Sequence, residues 1–302
     1  MTLLFHQNML NYAGGTGAAA PPHANRTRNQ QFDRDFAAIQ AITGQDYLVA
    51  GFTELLNNAA AAAGVRARAR ALDPSLRNCV VIGVGITATG ARDEHIGIAW
   101  DRDNFTIANA GQVLFNAVTR QWHCYNTPAA VPANINTPVP ATIPLPNLGN
   151  AFGGGGGGKR KWDTQAAADS RGVAYIHGSW AGRTRVFGFM HNMHSVGDPT
   201  SSFSSLNAMM DAIHAAVNDY TTRDYVGGDF NIEPRKPGRG PLECAAQQYR
   251  SAGEDWFTDT TLYHPYDFWL TTNPNIGHAN ARVRSTTLWS HSSDHAAITL
   301  RV

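Results

Sequence analysis

Five places in the sequence set hard oxygen donors or imidazoles where an apolar stretch stops or starts. Asn8 follows Leu3 to Gln7, Glu54 follows Tyr47 to Thr53, and His191 follows Arg185 to Met190. Asp229 and Asn231 follow Tyr225 to Gly228, and Asp294-His295 precede the apolar end of the chain. Carboxylate and amide oxygens suit a hard divalent cation, and an imidazole moves protons near neutral pH. These are the parts that hydrolysis of a phosphodiester needs: a cation to offset phosphoryl charge, a base for water, and donors for the transition state. Asn8 or Glu54 alone reads as an ordinary turn or surface residue; the ordered set gives each its weight.

The local words around these residues are Phe5-His6-Gln7-Asn8, Gly51-Phe52-Thr53-Glu54, Phe189-Met190-His191-Asn192, Gly228-Asp229-Phe230-Asn231 and Ser293-Asp294-His295. In this order they resemble the endonuclease/exonuclease/phosphatase superfamily, which includes DNase I, exonuclease III-type enzymes and the nuclease subunit of cytolethal distending toxin. Two further words match DNase-like members, Arg92-Asp93-Glu94-His95 and Pro265-Tyr266-Asp267-Phe268, where carboxylates orient the two histidines. Arg171, in Asp169-Ser170-Arg171-Gly172, resembles an arginine that faces the substrate phosphate. The likeness runs from Asn8 to His295.

The resemblance implies an α+β fold, a four-layer α/β/β/α sandwich of two mixed sheets flanked by helices. It also implies a role for each residue. Glu54, with Asp294 and Asn8, would hold Mg²⁺, with Mn²⁺ or Ca²⁺ as alternatives. His295, oriented by Asp267, would deprotonate the attacking water, a role that Asp229 shares or competes for. His191, paired with Glu94, would donate to the phosphate or the leaving oxygen. Asn231, Arg171 and Asn8 would position phosphoryl oxygens. His194 is the rival of His191, and Asp93 the rival of Glu94.

The expected substrate is nucleic acid, and DNA in particular, because 186 to 234 looks closest to DNase I and the distending toxin nuclease. This makes the expectation a metal-dependent DNA endonuclease, as a toxin or effector with an inhibitor protein to guard its host. The words that mark inositol 5-phosphatases and the exposed aromatic hairpin of sphingomyelinases are absent, so a lipid or inositol-phosphate phosphodiesterase is the alternative. A non-catalytic binding module on the same scaffold is the alternative from another class. Ala296-Ala297 after the terminal word departs from the aromatic or Pro of many members.

The elements that must position these residues read as many short strands and a few helices. Strands are expected at Leu3–Leu10, Tyr47–Thr53, Asn78–Ile86, His95–Trp100, Gln121–Tyr125, Tyr225–Gly228 and Ala296–Val302, with a hairpin around Trp180-Ala181-Gly182. Helices are expected from Asp33 to Gly44, Leu55 to Leu72, Phe203 to Tyr220 and Leu242 to Arg250. A Pro/Gly-rich loop insertion at about 127–162 interrupts one domain spanning 1–302, and ends in Gly153 to Gly158. Beyond those glycines, Lys159, Arg160 and Lys161 beside Trp162 suit a nucleic-acid backbone and a stacked base; a tether with incidental charge is the equal reading.

Lys plus Arg total 24 against 23 Asp plus Glu, so any polyanion-binding surface is local. Three cysteines, Cys79, Cys124 and Cys244, match neither a disulfide framework nor a zinc site and read as buried thiols. No apolar run approaches the roughly 20 residues of a membrane span, and the N-terminus carries no Sec-type signal. Membrane insertion is therefore not expected, and the protein is expected to be a monomer, cytoplasmic or exported by a non-Sec route. His95, His177 and His264 read as structural histidines. Arg66, Arg68 and Arg70, spaced by two, read as a solvated surface of a helix.

Overall fold

A computed structural model describes residues 2–19, 25–44, 46–86, 93–116, 119, 121–128, 139–145, 172–192, 199–231, 250–252, 266–273, 281–283, 293, 295 and 297–302. In chain order the elements are β1 (Leu3–Tyr12), α1 (Arg28–Thr43), β2 (Tyr47–Leu56), α2 (Ala59–Leu72), β3 (Asn78–Ile86), β4 (Asp93–Trp100), β5 (Phe105–Asn116), β6 (Gln121–Pro128) and β7 (Ala141–Ile143). They continue as β8 (Val173–Trp180), β9 (Arg183–His191), α3 (Pro199–Val217), β10 (Arg223–Asp229), β11 (Arg250–Ala252), β12 (Asp267–Thr271), β13 (Ala281–Val283) and β14 (Ile298–Arg301). One sheet has the order β13-β14-β1-β2-β4-β3-β7 and the other β11-β12-β10-β9-β8-β5-β6. Both are mixed: β1 runs parallel to β2 and β9 to β10, while most other neighbours are antiparallel.

Alternation along the strands divides the apolar residues among three clusters. Leu4, Val49, Ile96, Ile98, Phe187, Phe189, Tyr225 and Trp269 fill the layer between the sheets. Phe5, Phe36, Phe52, Val65 and Leu72 join the first sheet to α1 and α2. Val113, Val186, Met209, Ile213 and Val226 join the second sheet to α3. The result is the expected α/β/β/α sandwich.

Several boundaries differ from the sequence expectation, each for a local reason. α1 starts at Arg28 behind the cap residue Thr27, not at Asp33: the Thr27 side chain accepts from the Gln30 backbone and the Gln30 side chain accepts from the Thr27 backbone, a capping box. Asp33 instead lies on α1 and pairs with Arg68 of α2 at 2.6 Å. Leu55 and Leu56 belong to β2, and α2 begins after Asn58, whose side chain accepts from the Ala61 backbone at 2.7 Å. Arg66 is 4% exposed, so the three arginines of α2 do not form one solvated surface. β5 was missed because Asn109, Gly111 and Gln112 interrupt its apolar alternation, and β12, Asp267–Thr271, is a further strand beyond those expected. The insertion includes a strand, β7, parallel to β3 at the sheet edge. Arg250, the expected end of a helix, starts β11; the rest of that helix, residues 242–249, lies outside the described residues.

Candidate active site

One rule of strand geometry gathers most of the site: residues two apart share a face. In β1, Leu4 lies in the inter-sheet core, and His6 and Asn8 continue its face. In β4, Ile98 and Ile96 lead to Glu94; in β9, Phe187 and Phe189 lead to His191; in β10, Tyr225 leads through Gly227 to Asp229; and in β12, Trp269 leads to Asp267. The inter-sheet core thus changes from apolar to polar at one end, where strands of both sheets deliver their chemistry-bearing residues. Parallel pairing of β9 and β10 sets His191 opposite Asp229, and antiparallel pairing sets Asp229 opposite Asp267. Gly228 is required for this approach, since a Cβ there would stand 2.0 Å from the Met190 carbonyl oxygen.

Glu54 breaks the rule. Phe52 faces the helices and Thr53 faces His6, so regular alternation would turn Glu54 back toward the helices. The ladder instead shifts register between Phe52 and Leu55 against β4, and between Asn8 and Tyr12 against β1. Glu54, Leu10 and Asn11 adopt positive φ of 56°, 47° and 51°. Such conformations cost non-glycine residues energy and are retained where surrounding contacts enforce them. Arg28 holds the β1 distortion by donating to the carbonyls of Met9 and Leu10 at 2.5 and 2.9 Å. The distortion lets the Asn11 backbone donate to Glu54 Oε2 at 3.0 Å.

The resulting network has two imidazoles, each backed by a carboxylate. His191 Nδ1 meets Glu94 Oε1 at 2.5 Å, and His295 Nδ1 meets Asp267 Oδ2 at 2.7 Å. Both Nε2 atoms turn to the same oxygen, Asp229 Oδ2, at 3.6 Å from His191 and 3.4 Å from His295. His191 Nε2 also lies 3.1 Å from Glu54 Oε1. Asn8 Nδ2 donates to Glu54 Oε1 at 3.1 Å and Asp229 Oδ2 at 3.0 Å, while its Oδ1 accepts from the Leu10 backbone at 2.9 Å. Asn8 thus ties two carboxylates together through its amide donor, while its Oδ1 keeps a second lone pair beyond the bond from Leu10. Asn231 has φ 50°; its backbone donates to Asp229 Oδ1 at 2.9 Å and its side chain to the Asn192 carbonyl at 2.8 Å.

Burial works against a charged Glu54, but the His191 charge and hydrogen bond, the Asn8 hydrogen bond and the His295 charge outweigh it and hold this carboxyl well below the usual range. Among the described residues, Glu54, Glu94, Asp229 and Asp267 bring four carboxylates to a site with two imidazoles that face them, His191 and His295. A buried cluster in which carboxylates outnumber the facing imidazoles suits a bound cation. Glu54, His191 and Asp229 present ligand atoms within 4.8 Å of one another, as do Asp229, Asp267 and His295. Carboxylate oxygens outnumber imidazole nitrogens in this donor set, which fits a divalent cation.

Asp294, Arg171, Lys159, Arg160 and Lys161 lie outside the described residues, as do the rival His194, His264 and Cys244. Asp93, the rival of Glu94, is partly exposed, whereas Glu94 makes the His191 contact. His95 and His177 are buried away from this network, His177 facing Asp219 at 3.9 Å. Cys79 is buried and its thiol is pushed up to about 12 by burial, as befits a packing residue. Sequence reading missed His6, Gln7 and Thr53: Gln7 donates to the carbonyls of Asn8 and His295 at 2.7 and 3.1 Å. Polar residues running through an otherwise apolar strand were the available signal.

No protein-family model matches the sequence, and no curated protein matches it. Solved structures do. The chain is similar to a mannosyl-6-phosphatase of Bacteroides thetaiotaomicron, with 13% identity and a TM-score of 0.55 over 100% of this chain and 99% of that one. It is similar to the catalytic domain of human Nocturnin with bound sulfate, with 12% identity and a TM-score of 0.52 over 99% and 93%. It is also similar to an endonuclease/exonuclease/phosphatase from Bacteroides vulgatus, with 15% identity and a TM-score of 0.51 over 99% and 97%. Likeness over the full length of both chains, with both sheets and their helices in place, gives this protein the endonuclease/exonuclease/phosphatase, or DNase I-like, fold.

Proposed function

We propose that this protein is a divalent-metal-dependent phosphoester hydrolase whose substrate is a nucleic-acid phosphodiester, DNA by preference. The observation that carries the reading is the pair of carboxylate-backed imidazoles directed at one oxygen of Asp229. Phosphodiester hydrolysis requires removal of a proton from water and delivery of one to an alkoxide leaving group, and two oriented imidazoles near one carboxylate oxygen suit those tasks. Asp267 keeps the Nδ1 proton on His295 and turns Nε2 toward the attacking water. Glu94 holds His191 as its conjugate acid for the leaving oxygen. Asp229 lies between them, placed to orient the water and to stabilise whichever imidazole is charged.

Glu54 and Asp229, with Asp294, would hold the metal, which supplies Lewis-acid neutralisation of phosphoryl charge. Asn8 fixes the two carboxylates side by side, and Asn231 fixes the end of β9 against β10. Arg171 would add a bidentate donor to the phosphate, and Lys159, Arg160 and Lys161 would follow the nucleic-acid backbone. The name of the mannosyl-6-phosphatase makes a phosphomonoester the natural counter-substrate. A monomeric single-domain nuclease used as a toxin or effector, with a dedicated inhibitor, is the finer form of the proposal.

Supercoiled plasmid incubated with the protein and Mg²⁺ should become nicked and then linear, and EDTA should abolish this. His295→Ala should slow cutting by about 10²–10⁴-fold. Intact plasmid together with phosphate release from a sugar phosphate would replace the diesterase reading with a monoesterase; cutting that survives His295→Ala would remove this site from the reaction.

A further inference from the structure

His6 is fully buried, in the inter-sheet layer directly behind the network. Its ring stacks on Phe189 with centroids 6.4 Å apart. Nε2 lies 3.1 Å from the Thr53 hydroxyl, and Nδ1 lies 3.6 Å from Asp267 Oδ1. The other oxygen of that same carboxylate, Oδ2, meets His295 Nδ1 at 2.7 Å. Asp267 is thus held between two imidazoles, one at the site and one in the core.

We propose that His6 is a positioning residue that steadies Asp267 from behind in its Nδ1–H form, so that Asp267 presents its second oxygen to His295. The assignment follows from what each neighbour can do. An ionised carboxylate only accepts, so an unprotonated Nδ1 would set two lone pairs against each other, whereas Nδ1–H sets a proton toward Oδ1. Nε2 then carries the lone pair and accepts from Thr53, which has a proton to give. At 3.6 Å the Nδ1 contact is electrostatic and longer than a hydrogen bond, and the low polarity around Phe189 strengthens it. The ring is fully buried, and burial favours its neutral form. Neutral His6 thus adds no charge to the core while directing a dipole at Asp267.

The kinetic part of this inference rests on the proposed role of His295; the tautomer does not. With ¹⁵N-histidine label, His6 should show a protonated Nδ1 and an unprotonated Nε2, and its Nδ1 resonance should move in Asp267→Asn. A proton found on Nε2, or no response to Asp267→Asn, would overturn the proposal even in a protein that cleaves nothing tested. In an active protein, His6→Leu should lower kcat about tenfold with KM within about twofold of wild type. His6→Asn, whose amide N–H falls near the Nδ1 position, should restore most of the loss, and His6→Gln, which reaches the Nε2 position, should not. Equal kcat for the Asn and Gln variants would also overturn it, since a role in packing alone does not distinguish them. Thr53→Val adds a check if His6→Leu does not fold: it should leave KM unchanged and weaken the preference for the Nδ1–H form.

Discussion

At the scale of single residues the site depends on keeping negative charge together without folding around an unbalanced core. Glu54 is the clearest case: it stays ionised because His191, Asn8 and the Asn11 backbone all contribute, and it reaches them only through a positive φ. A carboxylate held in this way is set for a cation before one arrives. Added Mn²⁺ or Mg²⁺ at about 100 times its Kd should stabilise the protein by about 2.7 kcal/mol, visible as a rise in Tm. Glu54→Gln keeps the shape and removes the charge. It should weaken metal affinity by at least about tenfold, read by calorimetry, and should shrink that Tm response. An unchanged metal titration in Glu54→Gln would place the cation elsewhere.

At the scale of elements, α3 joins the His191 strand to the Asp229 strand, and its far end is fastened by another imidazole–carboxylate contact, this one remote from the chemistry. His214 Nε2 lies 3.0 Å from Asp224 Oδ2, and Thr222 donates to Asp224 Oδ1 at 2.7 Å. Burial opposes a charged His214, but the hydrogen bond and charge of Asp224, with Asp211 and Asp219, outweigh it and raise its pKa. A raised folded value means that the pair stabilises below the ordinary histidine pKa and that this contribution is lost as pH rises through the folded value. Wild type should therefore lose more stability than His214→Asn as pH rises from the ordinary histidine value through the raised folded one, and amide exchange in the last turns of α3 should quicken over the same rise. Parallel pH curves for the two proteins would show that the pair titrates no differently in the folded and unfolded states.

At the scale of the whole molecule, the two sheets approach closely where Gly51 of β2 faces Phe189 of β9. A Cβ on Gly51 would stand 2.0 Å from Phe189 Cδ1, inside any tolerable contact. Phe189 also meets His6 and, edge to face, Trp269, and it lies two residues before His191. Gly51→Ala should accordingly cost about 1–3 kcal/mol of stability by overpacking, measured by denaturant unfolding. It should also reduce kcat, because a displaced Phe189 disturbs the strand that carries His191. Wild-type kcat in the folded variant would mean that the sheets can part without moving the site. No described helix is long and apolar enough to cross a membrane.

Local pattern in the sequence carried most of the strands, the outer helices and the polar residues at their ends. Period-2 apolar patterns require sheets with buried faces, helical spacing supplies the outer layers, and the polar residues that extend the buried faces of β1, β4, β9, β10 and β12 are the ones the ordered words single out. Those signals are local, so one strand or helix is enough to express them. How the parts meet is fixed by packing between the strands and sheets. Glu54 reaches the site against its own strand's alternation because a shifted ladder and Arg28 hold the backbone there. Asn8 bridges Glu54 and Asp229 from a neighbouring strand and the opposite sheet, and Asp267 lies between His295 and His6. Those contacts join residues 46, 221, 28 and 261 positions apart, and only packing of two sheets fixes their distances.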